Sequence, residues 1–535
     1  MAESCQKEIS RAWRLLAMLG VVLVALSSSC VWQVEGSVHE YVNAQFTPQG
    51  NAYVLFGGSE GLYASAPHGN GSGVGNGLSY IRFDHSLTFK RSALSASRHE
   101  PGEQNSALVE AIIFDVADTD KLGGSAYGGQ VALCCTADLA RDSGCTKGQV
   151  IYRPSAENLN WPQSVKFHFK GNEFEATASL EQVKITKTGM YILYFIFCDP
   201  ELEGLVVEGK TIWKNPSGYL PGRMVPLIPF YGVLSLAYLA LGIVWLFQYA
   251  RFWKDILHLQ NCITVVIALG MAEMAMWYFD YVNFNSTGRR PVGITIWAVT
   301  VGAIKKTVSR LLLLVVSMGY GVVRPTLGGL TSKVLFLGGT FFLASESLDV
   351  VEHVGRIDEV SSRTRLLLVL PVAILDAFFI LWSFTSLSKT LEKLQARRSV
   401  AKLGLYRKFT NFLVAAVVIS VAWIAYELYF KATDPVGEHW QNAWIISAFW
   451  NILTFFLLCT ICALWAPSQN SNRYAYSEEV GEDFDEEAVA LTSNGVPKSM
   501  SELDKGATKQ DKKERKPVNT DVFSLDDDLE EDKRE

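Results

Sequence analysis

The chain is short of the residues that metal and redox chemistry draw on. It carries 9 cysteines and 8 histidines in 535 residues. None of the histidines, His258 and His353 included, stands at metal-ligand spacing. Cys459-x-x-Cys462 has redox spacing but falls in an apolar helical run, where coincidence is the simpler account. No Ser–His–Asp arrangement and no paired carboxylates occur in a hydrolase context, so nothing argues for an enzyme, and no metal or cofactor is expected. Basic charge is not in excess either. The formal net charge is −6 and no basic patch interleaves with aromatics, which sets nucleic acid aside as a partner. The glycine-rich stretch Gly69–Gly77 lacks the Lys-Ser/Thr of a phosphate loop and reads as a flexible hairpin tip.

What the chain does have is apolar sequence in long runs. Its 49% hydrophobic content fits a mixture of membrane and soluble parts. Seven segments read as spans: 224–248, 256–279, 292–323, 331–349, 365–388, 408–430 and 441–465. Aromatics gather at their ends. Trp277, Tyr278 and Tyr281 close the second, Tyr426 and Tyr429 the sixth, and Trp440 and Trp444 open the seventh.

The third span is the improbable one, because Lys305, Lys306 and Arg310 sit near its middle. One basic residue at the centre of a spanning helix costs about 2.5–3.5 kcal/mol on insertion scales. Three therefore cannot face lipid. Lys306 and Arg310 are four apart and share a face, which must look into a protein or water-filled interior. Asp376, mid-way along the fifth span, lies at comparable depth; Glu273 lies in the second span, and Glu346 and Glu427 near the ends of the fourth and sixth. Two readings stay open. These charges form a structural salt-bridge lock, or they line a polar cavity. That cavity would be an ion path, or a pocket for a lipid headgroup whose phosphate meets Lys306 and Arg310. Ser317-Met318-Gly319-Tyr320-Gly321 looks like a potassium-channel filter only by chance: it ends a continuous helix and lacks the preceding threonine, and Pro325 marks the exit.

Ahead of the spans, residues 1–36 read as a secretory signal, with Lys7, Arg11 and Arg14, the apolar run Leu15–Leu26, and small residues at Val34-Glu35-Gly36. An uncleaved anchor is the alternative. Either sends residues 37–221 into the lumen, and the Lys/Arg bias of the loops favours the same orientation, with a cytosolic C-terminus. Short runs between turn signals (Ala52–Phe56, Ser79–Phe83, Leu108–Val116, Val131–Cys135, Val165–Phe169, Glu173–Ser179, Met190–Cys198) predict an all-β sandwich. Cys134, Cys135, Cys145 and Cys198 are disulfide candidates; the adjacent pair should each reach Cys145 or Cys198, in either order. Cys262, Cys459 and Cys462 read as packed thiols. Asn70 and Asn285 head glycosylation sequons, the second in an expected luminal loop. Residues 467–535 predict a disordered cytosolic tail with an acidic cluster, Glu478–Glu487, read either as a solvated run or as a determinant for cytosolic sorting adaptors.

The run Lys305-Lys306-Thr307-Val308-Ser309-Arg310-Leu311, followed by Gly319-Tyr320-Gly321 and Arg324-Pro325, resembles the most recognisable stretch of the GOLD-domain seven-helix membrane proteins. These are also called the lung seven transmembrane receptor family. The segment Thr188–Cys198 and the acidic tail agree, and the tail looks closest to the transmembrane protein 87 branch. The resemblance implies a luminal GOLD-like β-sandwich at 37–221, a seven-helix bundle at 222–466, and a Golgi or trans-Golgi membrane protein reaching endosome and plasma membrane. It further implies a trafficking role, membrane lipids as partners (a phospholipid bound in the bundle among them) and an unidentified luminal cargo. A cation channel or channel regulator is the alternative that the resemblance offers. An orphan receptor coupled to G proteins is less well supported, since no Asp/Glu-Arg-Tyr follows the third helix and no Asn-Pro-x-x-Tyr lies in the seventh.

Overall fold

A computed structural model describes residues 37–65, 77–92, 107–125, 131–143, 145–154, 160–169, 173–177, 181–320, 330–354, 362–397, 400–434, 437 and 439–467. The leader, Asn70, Pro325 and the tail lie outside these. All described residues belong to one unit, residues 1–477.

Two large antiparallel sheets and a two-stranded ribbon, Gly124–Ser125 with Val131–Ala132, make the β domain. The first runs in the order Glu175–Thr177, Thr88–Lys90, Val206–Lys214, Tyr80–Phe83, Gln182–Lys184, with Val38–Gln45 also paired along Val206–Lys214. The second runs Thr47–Gln49, Ala52–Leu62, Gly189–Phe197, Leu108–Asp115, Gln163–His168. Alternation along the strands builds the core. Ile81, Phe83, Phe89, Val207 and Trp213 from one sheet meet Val109, Ala111, Ile113, Leu193, Phe195 and Phe197 from the other.

Leu108–Asp115 reads as a near-continuous apolar run because both its faces are covered. Its other face, with Ile112 and Phe114, packs against Cys134 and Val150 of the excursion that follows it. Two disulfides fasten that excursion: Cys134 pairs with Cys198 at the end of Gly189–Phe197, and Cys135 with Cys145. This resolves the order the sequence leaves open.

Seven long helices follow: α1 (Leu227–Arg251), α2 (His258–Thr287), α3 (Val292–Ser317), α4 (Leu330–Val354), α5 (Ser362–Ala396), α6 (Val400–Thr433) and α7 (Trp444–Leu464). By length and composition, 6 of them are apolar enough to cross a membrane, and α3 is excluded from that set by its charges. Phe247, Phe336, Leu381, Val418 and Leu428 point outward, as an acyl-chain surrounding would require. Helix α3 is the hub, packed on α2, α4 and α5.

Two boundaries differ from the sequence expectation. Helix α3 ends at Ser317, not at 323, because Gly319 takes a left-handed φ of 82°. Helix α2 runs on to Thr287, so Asn285 sits in its last turn rather than in a loop. The reason is tertiary. Asn285 Oδ1 accepts from Leu220 N at 3.1 Å and its Nδ2 donates to Ser217 O at 3.0 Å, tying the helix end to the exit from the β domain.

A second joint involves α7. Trp440, just ahead of α7, is 5% exposed and stands edge-on to Tyr63 at 5.2 Å. It is admitted by Gly61, where a Cβ would come within 2.5 Å of the indole. Asn215, almost fully buried, ties the residue after the Ala52–Leu62 strand to the exit from the β domain, accepting from Tyr63 N and donating to Leu220 O.

Candidate functional site

The three cations of α3 point to three different helices. Successive helical residues turn by about 100° (3.6 per turn), so Lys305 faces away from Lys306 and Arg310. Lys305 turns to α2, where its Nζ meets Glu273 Oε2 at 2.6 Å with side chains 3% and 6% exposed. Space for the carboxylate comes from Gly302, whose added Cβ would fall 2.8 Å from Glu273 Oε1. The ammonium also stands 5.6 Å over the ring of the fully buried Tyr238.

Lys306 turns to α4 and meets Asp349 Oδ2 at 2.7 Å. Arg310 turns to α5 and grips Asp376 with two parallel hydrogen bonds, Nε to Oδ1 and Nη2 to Oδ2, the latter 2.9 Å. Its guanidinium lies 4.6 Å over Phe341. These two pairs are not sealed: the Lys306 and Arg310 side chains are 42% and 34% exposed. The arrangement therefore grades from a closed pair beside α2 to two half-exposed pairs that α3 makes with α4 and α5.

Of the residues singled out from sequence, Glu273 and Asp376 lie against α3 cations. Glu346 does not pair with them; its Oε1 is 2.8 Å from Thr300 Oγ1. Glu427 pairs with Lys431 on its own helix at 2.6 Å. Sequence reasoning missed Asp349, the partner of Lys306. The signal was present, since Ser345, Glu346, Asp349 and His353 fall on one side of a largely apolar helix.

It also missed a fourth pair, this one buried, at the end of the bundle that adjoins the β domain. Arg290 Nε meets Asp280 Oδ2 at 3.1 Å, and Thr295 Oγ1 donates to the other oxygen. Trp277 and Tyr281 stand beneath the guanidinium at 5.7 and 5.5 Å. Asp280 is fully buried, so a charged loop residue, Arg290, closes this end.

Among the described residues, no group of acidic, histidine and cysteine side chains could hold a metal ion. In the β domain Glu110 is buried on the face of Leu108–Asp115 turned to the disulfide-fastened excursion. Its Oε1 accepts from Val150 N at 3.1 Å, and its other oxygen has no partner. Burial pushes this carboxyl up, opposed in part by that hydrogen bond and by Lys166 across the strand.

Residues 226–472 match the family described as GOST, seven transmembrane domain. Transmembrane protein 87B of Mus musculus is 35% identical over 288 residues, which cover 54% of this chain and 51% of that protein. Transmembrane protein 87A of Homo sapiens is 35% identical over 283 residues, 52% of this chain and 50% of the relative. The chain thus spans about half the length of these relatives. Membrane protein PTM1 of Saccharomyces cerevisiae is 23% identical over 402 residues, 71% of this chain and 75% of its own length. Residues 226–472 are thus a seven-transmembrane domain of the GOST type, and about half of the chain is similar to the Transmembrane protein 87 proteins.

Proposed function

We propose that this is a non-enzymatic, multi-pass membrane protein of the Golgi and trans-Golgi. It acts in traffic between endosomes, Golgi and cell surface, with its luminal β domain binding cargo or lipid and its cytosolic tail engaging sorting adaptors. The compartment and the transport role rest on the family resemblance. The observation that supports a carrier over an unattached sensor is the double joint between domains. Trp440 is wedged at Gly61, and Asn285 is hydrogen-bonded to Ser217 and Leu220, so a load on the β domain is borne by the bundle.

The test is surface delivery of secretory cargo in cells lacking the protein, rescued with the full chain or with a chain lacking residues 37–221. Slowed delivery, restored by the full chain alone, is the expected result. Normal delivery in the absence of the protein contradicts the reading. Deleting Glu478–Glu487 should shift the protein out of the Golgi, and unchanged residence would remove the tail from the account.

A second reading, ion conduction or its regulation, draws on the half-exposure of Lys306 and Arg310. The same half-exposed cations suit a phospholipid headgroup, whose phosphate would meet both. Conductance of purified protein in bilayers, with Lys306→Ala and Asp376→Ala in parallel, separates these. A current changed by either substitution favours a path; no current leaves a headgroup pocket or a lock.

A further inference from the structure

We propose that Glu346 on α4 is a proton-binding site: a carboxyl that stays neutral inside the bundle, holding a proton where its neighbouring acids hold a cation. The inference is independent of the trafficking reading.

Four other acids of α2, α4 and α5 are buried or half-buried, and each has its own cation. Glu273 has Lys305, Asp280 has Arg290, Asp349 has Lys306 and Asp376 has Arg310. Glu346 is 2% exposed, and none of the cations among the described residues forms an ion pair with it. Its Oε2 is enclosed and without a hydrogen-bond partner. An unpaired buried carboxylate is among the most costly groups a membrane interior can hold, whereas the neutral acid is far cheaper.

Proton counting at Thr300 points the same way. Its hydroxyl oxygen lies 2.9 Å from Ile296 O and 2.8 Å from Glu346 Oε1, and a hydroxyl has one proton to give. Donation back to the carbonyl four residues earlier is what the hydroxyls of Thr307, Ser317 and Thr410 do in this bundle. Thr295 makes the same two contacts, with Pro291 O and Asp280, but there Arg290 answers the carboxylate. Glu346 has no such cation among the described residues, so with the Thr300 proton on Ile296 O its short contact calls for a second proton. The carboxyl supplies it, donating from Oε1 to Thr300 Oγ1.

The charged groups that face Glu346 are Asp349 from its own helix and Lys306 from α3. Glu273 of α2 and Asp376 of α5 are taken up by Lys305 and Arg310. Losing the proton would put a second anion three residues from Asp349, with Lys306 left to serve both. Proton occupancy of Glu346 thereby decides whether Lys306 belongs to Asp349 alone.

The test is infrared difference spectroscopy on the purified full chain at neutral pH, wild type minus Glu346→Gln. A neutral-acid C=O band present in the wild type and lost in the variant is the expected result, with a downshift in heavy water. Absence of any such band overturns the proposal. Because an amide keeps the shape and the donor of the neutral acid, the variant should fold and melt as the wild type does. Failure of Glu346→Gln to fold, while Glu346→Asp folds, would show that the charge is required and would also overturn it.

Discussion

Lys305 of α3 and Glu273 of α2 meet at 2.6 Å where both are almost fully enclosed, while one residue along the helix Lys306 is 42% exposed beside Asp349. Adjacent lysines in sequence thus occupy different electrostatic worlds. Removing one member of an enclosed pair leaves an uncompensated charge, at about 3–5 kcal/mol, whereas exposed pairs contribute about 0–1 kcal/mol. Glu273→Gln should therefore lower the melting temperature far more than Asp349→Asn. Equal effects in a thermal melt of the detergent-solubilised chain would show that the two sites are equally solvated.

Replacing both members of the enclosed pair by apolar residues should recover most of that loss. The reasoning is that ionic partners taken out of water together are often no better than an apolar pair of similar volume. Lys305→Met with Glu273→Leu is expected to melt above either single variant. A double variant less stable than both would mean that the charges serve the fold directly.

The joint at Trp440 should be separable from the folding of either domain. Gly61→Ala places a methyl group within 2.5 Å of the indole. We expect faster hydrogen exchange around residues 61–63 and 439–443, with the sheet and bundle cores unchanged. Protection that stays as in the wild type would remove Trp440 as a fastening.

The β domain should lose stability as pH rises, through Glu110. Its folded carboxyl is held above the ordinary glutamate value by burial. The contribution is fully present below the unfolded value and is lost as pH climbs through the raised folded one. Glu110→Gln keeps the acceptor for Val150 N and removes the charge, so it should flatten this dependence and stabilise the domain near neutrality. Parallel pH profiles for wild type and variant would contradict this.

The two disulfides should differ in weight. Cys134–Cys198 closes a separation of 64 residues and Cys135–Cys145 one of 10. On the chain-entropy account the longer loop is worth about 1.5 kcal/mol more. Cys198→Ala with Cys134→Ala should therefore destabilise more than the matching double variant of the other pair. The reverse order in denaturant unfolding would point to enthalpic terms.

Much of this was legible in the sequence, for definable reasons. Three cations inside an apolar run need acids at the same depth, which led to Glu273 and Asp376. Asp349 escaped because depth judged from span ends puts it at the water boundary. The actual α4 runs on to Val354 and carries Asp349 inward against α3. The reach of α2 was hidden for a similar reason: Trp277 and Tyr281 look like an interfacial belt, but they pack beneath Arg290 inside the bundle. In the β domain the long strand Val206–Lys214 was not recognised, since Glu208 and Lys210 flank a glycine at φ 120° and dilute its apolar face. Partners that come from another element are what a single sequence carries least plainly.

The most direct test of α3 as a helix held by three separate pairs is a set of double-mutant cycles. Each of Lys305, Lys306 and Arg310 would be neutralised in turn with each of Glu273, Asp349 and Asp376, and the melting free energies compared. The account predicts coupling of about 0.5–3 kcal/mol for Lys305/Glu273, Lys306/Asp349 and Arg310/Asp376, and near-additivity for the six mismatched combinations. Additive matched pairs, or equal coupling in all nine, would contradict it.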